Sequence, residues 1–344
     1  MPTPFAVLTA AQQSTLIACV ADFFSLPEAH VKTWLHYATG KVEIHIPFAA
    51  LSEHSALLTA VRLALGETHT QVISLHTRIS SAPTSKPKLA TINNLVAVAS
   101  GKGGVGKSST AVNLAFALAA EGARVGILDA DIYGPSIPMM LGNPQAKPSS
   151  QDQKRVDPLE VHGVFATSIG YFVPAEHATI WRGPMASKAL MQLLNETHWP
   201  SLDYLIVDMP PGTGDIQLTL AELLPVSGAL IVTTPQDLAL ADASKGIAMF
   251  NKVKVPVLGL IENMSYHVCS QCGHHEAIFA EHGADKLAAQ YHLPVLAQLP
   301  LDIVIRQQAD SGVPLQIAQP QHAISSMYRQ LARQVSRQLH TSHT

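Results

Sequence analysis

Between an apolar run, Leu95–Ala99, and a segment of helical pattern, Ser108–Glu121, the chain carries Gly101-Lys102-Gly103-Gly104-Val105-Gly106-Lys107-Ser108. This is the full pattern G-x-x-x-x-G-K-[ST], and its strand-before, helix-after setting restricts the fold more than any other feature. Glycines let successive backbone N–H groups converge on one point without Cβ clashes. A helix starting there adds the positive end of its dipole. Residues Gly101, Lys102, Gly103, Gly104, Val105, Gly106, Lys107, Ser108 and Ser109 are therefore the candidate cradle for ATP. Lys107 is expected on the terminal phosphates and the Ser108 hydroxyl on Mg²⁺. Further apolar runs follow at Val125–Leu128, Tyr204–Val207, Ala229–Val232 and Val257–Ile261. Continuous rather than alternating apolarity marks strands buried on both faces. Intervening segments such as Ser187–Glu196 are long enough for crossover helices. The expected class is α/β, a doubly wound, mostly parallel sheet of the P-loop NTPase type.

Residues 1–80 have a different texture. Ala10–Phe24 and Ser55–Leu65 are helix-like, while Val42–Ile46 and His69–Ile79 alternate as strands, which predicts a small N-terminal α+β domain. Ser80–Lys88 is rich in Ser, Pro and Lys, so residues 81–94 read as a linker. Residues 95–344 are left for the nucleotide-binding domain. Asn143–Asp157 is polar and proline-flanked, the composition of a loop. From Gln321 the tail places Ile324, Tyr328, Leu331, Val335 and Leu339 at helical spacing, with Arg329, Arg333 and Arg337 on another face.

Composition narrows the environment. A net charge of −3 spread over both signs gives no bulk attraction to nucleic acid or anionic membrane. No stretch of ~18 apolar residues occurs, and the N-terminal MPTPFAVLTAAQQ lacks a basic region. Three cysteines, Cys19, Cys269 and Cys272, are an odd set and a poor disulfide framework. The expectation is a cytoplasmic protein without nucleic-acid or membrane partners. Cys19, in a helix-like apolar stretch, reads as a packing thiol.

Nucleotide chemistry needs carboxylates at other strand ends. Tyr204–Val207 runs into Asp208, the candidate Mg²⁺ holder, followed by the glycine-rich Pro210–Asp215. Val125–Leu128 runs into Asp129 and Asp131. Asp131 is placed to orient the attacking water, and Asp129 to support the metal or Lys107. The plainer role for Asp129 and Asp215 is to cap a helix.

A lysine at the second loop position resembles the deviant Walker A group, which includes MinD, ParA, the nitrogenase iron protein and the Mrp/ApbC carriers. Within it the chain is most similar to the Mrp/ApbC iron–sulfur cluster carrier ATPases, through VAVASGKGGVGKSSTAVNLA, LDADIYGPSIPMMLG, YLIVDMPPGTGDIQLTL, TTPQDLALADASKG and IENMSYHVCSQCGHHEAIF. The resemblance implies a homodimer in which Lys102 crosses to the partner's nucleotide. It implies slow ATP hydrolysis, and a [4Fe–4S] cluster taken from a scaffold and passed to apo-proteins. It also implies that Asn263 contacts adenine, against the alternative of a turn-forming Asn.

Cys269-Ser270-Gln271-Cys272 offers two thiolates, half of a four-ligand set. A symmetric dimer would join two pairs as Cys₄ around one [4Fe–4S] cluster. His267, His274, His275 or His282 could instead complete a zinc site within one chain, and a redox dithiol is the third option. Alone, the motif favours zinc; the implied dimer favours the cluster. The runner-up functions are a MinD/ParA-like positioning protein and a zinc metallochaperone ATPase.

Overall fold

A computed structural model of the chain describes residues 8–38, 41–66, 72–84, 86–150, 154–172 and 183–341. The contacts divide it into two units, Met1–Ser80 and Ser81–Thr344. In the first, helix α1 (Ala10–Phe24) starts at Thr9, whose hydroxyl accepts from Gln12 N–H while the Gln12 side chain accepts from Thr9 N–H. That reciprocal capping box fixes the helix start. The short α2 (Glu28–Lys32), β1 (Leu35–Ala38), β2 (Lys41–Ile46), α3 (His54–Leu65) and β3 (Ile73–Thr77) follow. The strands form a sheet in order β1-β2-β3, antiparallel then parallel. Val42, Ile44 and Ile46 turn inward to Leu16, Val20, Leu57 and Val61, and Phe24 packs edge-on against Trp34 and Phe48. Of the expected strand His69–Ile79, His69–Gln71 lie outside the described residues. Cys19 is half-buried against this core.

The second unit is built on eight strands: β4 (Ile92–Ala99), β5 (Val125–Asp129), β6 (Leu159–Val161), β7 (Val164–Ser168), β8 (Leu202–Asp208), β9 (Gly228–Thr233), β10 (Val257–Glu262) and β13 (Val295–Gln298). Their order is β13-β10-β9-β4-β8-β5-β7-β6. All neighbours are parallel except β6, which pairs antiparallel with β7. The doubly wound, mostly parallel architecture puts the P-loop strand β4 at the centre, flanked by β8 and β9.

β4 begins three residues ahead of the apolar run that predicted it. The Asn94 carboxamide accepts from Ala82 N–H (2.8 Å) and donates to the Asp203 carbonyl (3.1 Å). A polar side chain is thus satisfied inside a strand. The same bonds correct the linker expectation for residues 81–94. Ala82 is buried, and Lys86 Nζ donates to the carbonyls of Ala221 and Leu224. A linker-like composition is here fastened onto the second unit. Strands β6, β7 and β13 were not anticipated. Of the polar stretch Asn143–Asp157, Gln151–Gln153 lie outside the described residues, while Val156 bridges to Thr197.

The helices of this unit are α4 (Lys107–Ala120), α5 (Ile137–Met140), α6 (Gly183–Glu196), α7 (Asp215–Leu223), α8 (Asp237–Lys252), α9 (Gly283–Tyr291), α10 (Ile303–Ser311), α11 (Leu315–Ala318) and α12 (Ala323–Thr341). Residues Thr110–Leu118 of α4 are buried without a polar face, because α12 covers the side away from the sheet. The apolar tail stripe, Ile324, Tyr328, Leu331, Val335 and Leu339, is buried. Arg333 pairs with the buried Glu121 at 2.7 Å, and the Tyr204 and Ser336 hydroxyls meet at 2.6 Å. The arginines therefore flank a packed helix. Among the described residues no helix is long and apolar enough to cross a membrane.

Candidate functional site

In an open parallel sheet, ligands bind at the carboxyl ends of the strands, where loops diverge. Here β4, β5 and β8 deliver the phosphate loop, Asp129 and Asp208 to one edge, with Asp129 directly opposite Asp208 in the register. The loop is shaped by contacts a side chain would block. A Cβ at Gly101 would collide with the backbone of Asp242. Gly106 has φ +84, and a Cβ there would run into the Asn263 amide. Gly106 is also the residue before α4, so the loop ends where that helix's unpaired N–H groups begin. A cleft of ≈ 240 Å³ opens above, lined by Lys102, Gly104, Lys107, Ser108, Asp131 and Pro211 among others.

Lys107 is nearly buried, and its ammonium lies 2.6 Å from Asp208 Oδ1, 3.8 Å from Asp131 Oδ2 and 3.2 Å from the Ser108 hydroxyl. The sequence-predicted Lys107, Ser108, Asp131 and Asp208 thus meet at one point. The second Asp208 oxygen, Oδ2, is buried without a hydrogen-bond partner. An orphaned carboxylate oxygen beside a hydroxyl and a phosphate cradle has the donor chemistry a hard cation needs. Burial raises the Asp208 pKa, and Lys107 opposes that shift. Asp131 is also raised, by burial first, against the pull of Lys107.

Asp129, expected to support the metal or Lys107, is held by neighbouring donors. Its oxygens accept from Asp131 N–H (3.2 Å), Ile137 N–H (3.3 Å) and the Ser168 hydroxyl (2.9 Å). Its partners lie in the loop that carries Asp131, at the start of α5 and on β7. It is fully buried, and burial with the adjacent Asp208 charge pushes its pKa up to about 8. Ser168 was missed because β7 was missed. Asp215 is an exposed first-turn acid of α7, where it complements the helix dipole. The segment before it is tied to the loop, since Gly212 N–H donates to the Ser100 carbonyl (2.9 Å) and Gln217 to the Pro211 carbonyl.

Lys102 is half-buried at the cleft, with the Ser100 hydroxyl on its carbonyl (2.8 Å). Asn263, expected at adenine, is nearly buried and donates Nδ2–H to the Val105 carbonyl at 2.9 Å. In this arrangement its amide supports the phosphate loop.

The two cysteines lie at the tip of a two-stranded ribbon, β11 (His267–Val268) and β12 (His275–Glu276). Cys269 N–H donates to the His274 carbonyl (2.9 Å) and Gly273 N–H to the Cys269 carbonyl (2.8 Å). Gly273 supplies the left-handed turn residue at φ +71. The N–H groups of Gln271 and Cys272, followed by the Cys272 side chain, hold the Cys269 pKa below the ordinary thiol value. Cys272 is exposed. Of the four candidate histidines, His267 donates Nδ1–H to the Leu301 carbonyl (3.1 Å) and His282 pairs with Asp285. His274 and His275 are exposed. Among the described residues no group of three or more His, Cys, Asp or Glu is arranged to hold a metal ion. The zinc alternative within one chain therefore has no assembled ligand set here, and each chain presents a pair of thiols.

Comparison with known proteins gives the family. A family model for ParA, described as NUBPL iron-transfer P-loop NTPase, matches residues 91–336. The chain is 61% identical over 256 residues to the iron-sulfur cluster carrier protein of Escherichia coli K12, covering 74% of this chain and 69% of that protein. It is 55% identical over 307 residues to the Haemophilus influenzae protein of the same name, covering 88% and 83%. Among solved structures, a nucleotide-binding protein of Archaeoglobus fulgidus in complex with ADP is 37% identical. Its TM-score is 0.58, over 64% of this chain and 87% of that one.

Proposed function

The chain belongs to the NUBPL iron-transfer P-loop NTPases of the ParA family, and on that premise we propose that it is an ATP-dependent carrier of iron–sulfur clusters. Two copies associate with their clefts facing, and Lys102 of each reaches the nucleotide of the other. The four thiolates of two ribbons then hold one [4Fe–4S] cluster, which is cargo received from a scaffold and passed to apo-proteins. The observation that carries this reading is the ribbon itself, with one low-pKa thiol, one exposed thiol and, among the described residues, no group of three or more His, Cys, Asp or Glu placed to hold a metal ion. A pair of that kind is completed by a second copy.

In the cleft, the loop N–H groups and Lys107 bind the phosphates of ATP, and Ser108 with Asp208 Oδ2 would hold Mg²⁺, which neutralises phosphate charge when bound. Lys107 leaves Asp208 for the γ-phosphate. Asp131, beside Lys107 and lining the cleft, accepts a hydrogen from the attacking water and orients it. Hydrolysis is slow, as suits a switch whose γ-phosphate holds loops in place. Residues 1–80 act as a separate α+β domain.

The test is anaerobic reconstitution with iron and sulfide, followed by metal analysis. About four irons per two chains, lost in Cys272→Ala, is the expected result. Stoichiometric zinc with no iron uptake would retire the carrier reading and leave the nucleotide site standing.

A further inference from the structure

The phosphate loop and the cysteine ribbon are joined by one short stretch of chain. β10 ends at Glu262, and the next residue, Asn263, donates its amide N–H to the Val105 carbonyl inside the loop (2.9 Å). The contact is tight, since Gly106 leaves no room for a Cβ against that amide. Asn263 is also held from the sheet side, its own N–H donating to the Thr233 carbonyl (2.8 Å). Met264 then turns the chain in the left-handed region, at φ +56. Ser265 is clamped on both sides, with N–H to the Leu299 carbonyl (2.9 Å) and hydroxyl to the Glu262 carbonyl (2.8 Å). The Tyr266 ring lies stacked on His275 of the ribbon, centroids 5.3 Å apart and planes within 17°. Three residues further on comes Cys269.

We propose that Asn263 and Tyr266 are positioning residues that tie the shape of the phosphate loop to the geometry of the Cys269/Cys272 ribbon. Filling the loop with nucleotide moves or stiffens the Val105 carbonyl. Asn263 follows it through its hydrogen bond. Ser265 is pinned by its N–H bond to Leu299 and its hydroxyl bond to Glu262, so the displacement is passed to Tyr266 instead of being absorbed, and Tyr266 carries the ribbon through its ring contact with His275. The arrangement deepens the carrier reading and rests on it, because it names how nucleotide occupancy reaches the thiols. A rigid connection between two sites transmits only if both sites bias the same element, and here that element is the four-residue stretch 263–266.

The test uses the full-length apo-protein under reducing conditions. Alkylation of Cys269 and Cys272 by iodoacetamide, resolved peptide by peptide by mass spectrometry, is timed with and without saturating Mg²⁺ and a non-hydrolysable ATP analogue. In the wild type nucleotide is expected to change the rate by ~2-fold or more, the low end of measured site-to-site couplings. Tyr266→Phe keeps the stacked ring and keeps the response. Tyr266→Leu loses the response while its nucleotide affinity and nucleotide-dependent association stay as in the wild type. Asn263→Ala, compared at its own saturating concentration, loses it too. A full response in Tyr266→Leu, or none in the wild type, overturns the proposal. Iron loading separates the two readings. A protein that shows the response but takes up no iron retires the carrier role alone, and one that loads iron without the response retires the coupling alone.

Discussion

The phosphate cleft and the cysteine ribbon differ in how much of each site a single chain supplies. The cleft is assembled from the ends of three parallel strands, and its inner charged groups are largely buried and set against one another: Lys107 meets Asp208 and Asp131, Asp129 is enclosed by Ser168 and Ile137, and Asp208 Oδ2 alone of the Asp208 oxygens lacks a partner. The ribbon is two residues wide on each side, carries one exposed thiol and is stabilised by a turn rather than by a core. A preorganised site is expensive to perturb and cheap to use; an incomplete one is free to gain a partner and to release cargo. The difference matches the proposed division between a nucleotide site assembled largely within one chain and a cluster site completed by a second.

The sharpest way to break this contrast is to remove one thiol. Cys272→Ala is expected to abolish iron uptake, since two copies that each present one thiolate supply two of the four the cluster needs. ATP affinity, measured by calorimetry on the same preparation, should stay within ~2-fold, because additivity holds for sites without shared partners. Retained iron in that variant, or a collapse of ATP binding, would mean that the two regions are not separable. The reciprocal variant, Lys107→Ala, is expected to lose ~10- to 100-fold in ATP affinity, the worth of a hydrogen bond to a charged group, with iron loading retained. It also leaves Asp208 without its ammonium, so a lower melting temperature of the nucleotide-free protein should accompany the loss.

A smaller effect compares the ribbon with the N-terminal core through their cysteines. Backbone N–H groups lower the Cys269 pKa, whereas burial, and then Asp22, raises that of Cys19. The thiolate is the nucleophile. At pH 7 Cys269 should therefore alkylate faster than Cys19, and its rate should level off below the ordinary thiol pKa of ~8.5. A profile for Cys269 that rises only above that value would remove the support that Gln271 and Cys272 N–H groups give to thiolate character.

The two regions were also unequally legible from the sequence. The cleft's contents were readable because each part is local: a contiguous glycine pattern, and acids that terminate contiguous apolar runs. What escaped notice came from elements without such runs. Val164–Ser168 mixes Thr and Ser into a buried strand, so β7 and the Ser168 bond to Asp129 were invisible. Asn93 and Asn94 disguised the start of β4, and the Ser/Pro/Lys composition of the stretch before it disguised a docked segment as a free linker. At the ribbon, the CxxC spacing was plain, yet nothing in the sequence told a histidine near in number from one near in space. His267 turned to Leu301, and His282 to Asp285. Asn263 shows the same limit, since a hydrogen bond to a backbone carbonyl 158 residues away leaves no mark in composition.

The finest distinction within the cleft is between Asp208, balanced by a lysine, and Asp129, which has none. Asp129 is buried beside a carboxylate and its pKa is pushed up to about 8, so in the folded, nucleotide-free protein it holds its proton near neutrality. Unfolded, it ionises near the ordinary ~3.9. Between those two values the native state binds more protons than the unfolded one, and stability must fall as pH rises. The contribution is fully present below about pH 4 and is lost as pH climbs towards about 8. Urea denaturation of the nucleotide-free protein at intervals from pH 5 to 8 should show a decline of at least ~1.4 kcal/mol, the worth of one pKa unit. Asp129→Asn keeps the shape and can still accept from Ile137 N–H and Ser168, but it has no proton to lose, so its profile should be flatter. An equal slope in the variant would place the titration on Asp131 or Asp208 instead. In that case the lysine does not balance its carboxylates as the 2.6 Å contact suggests.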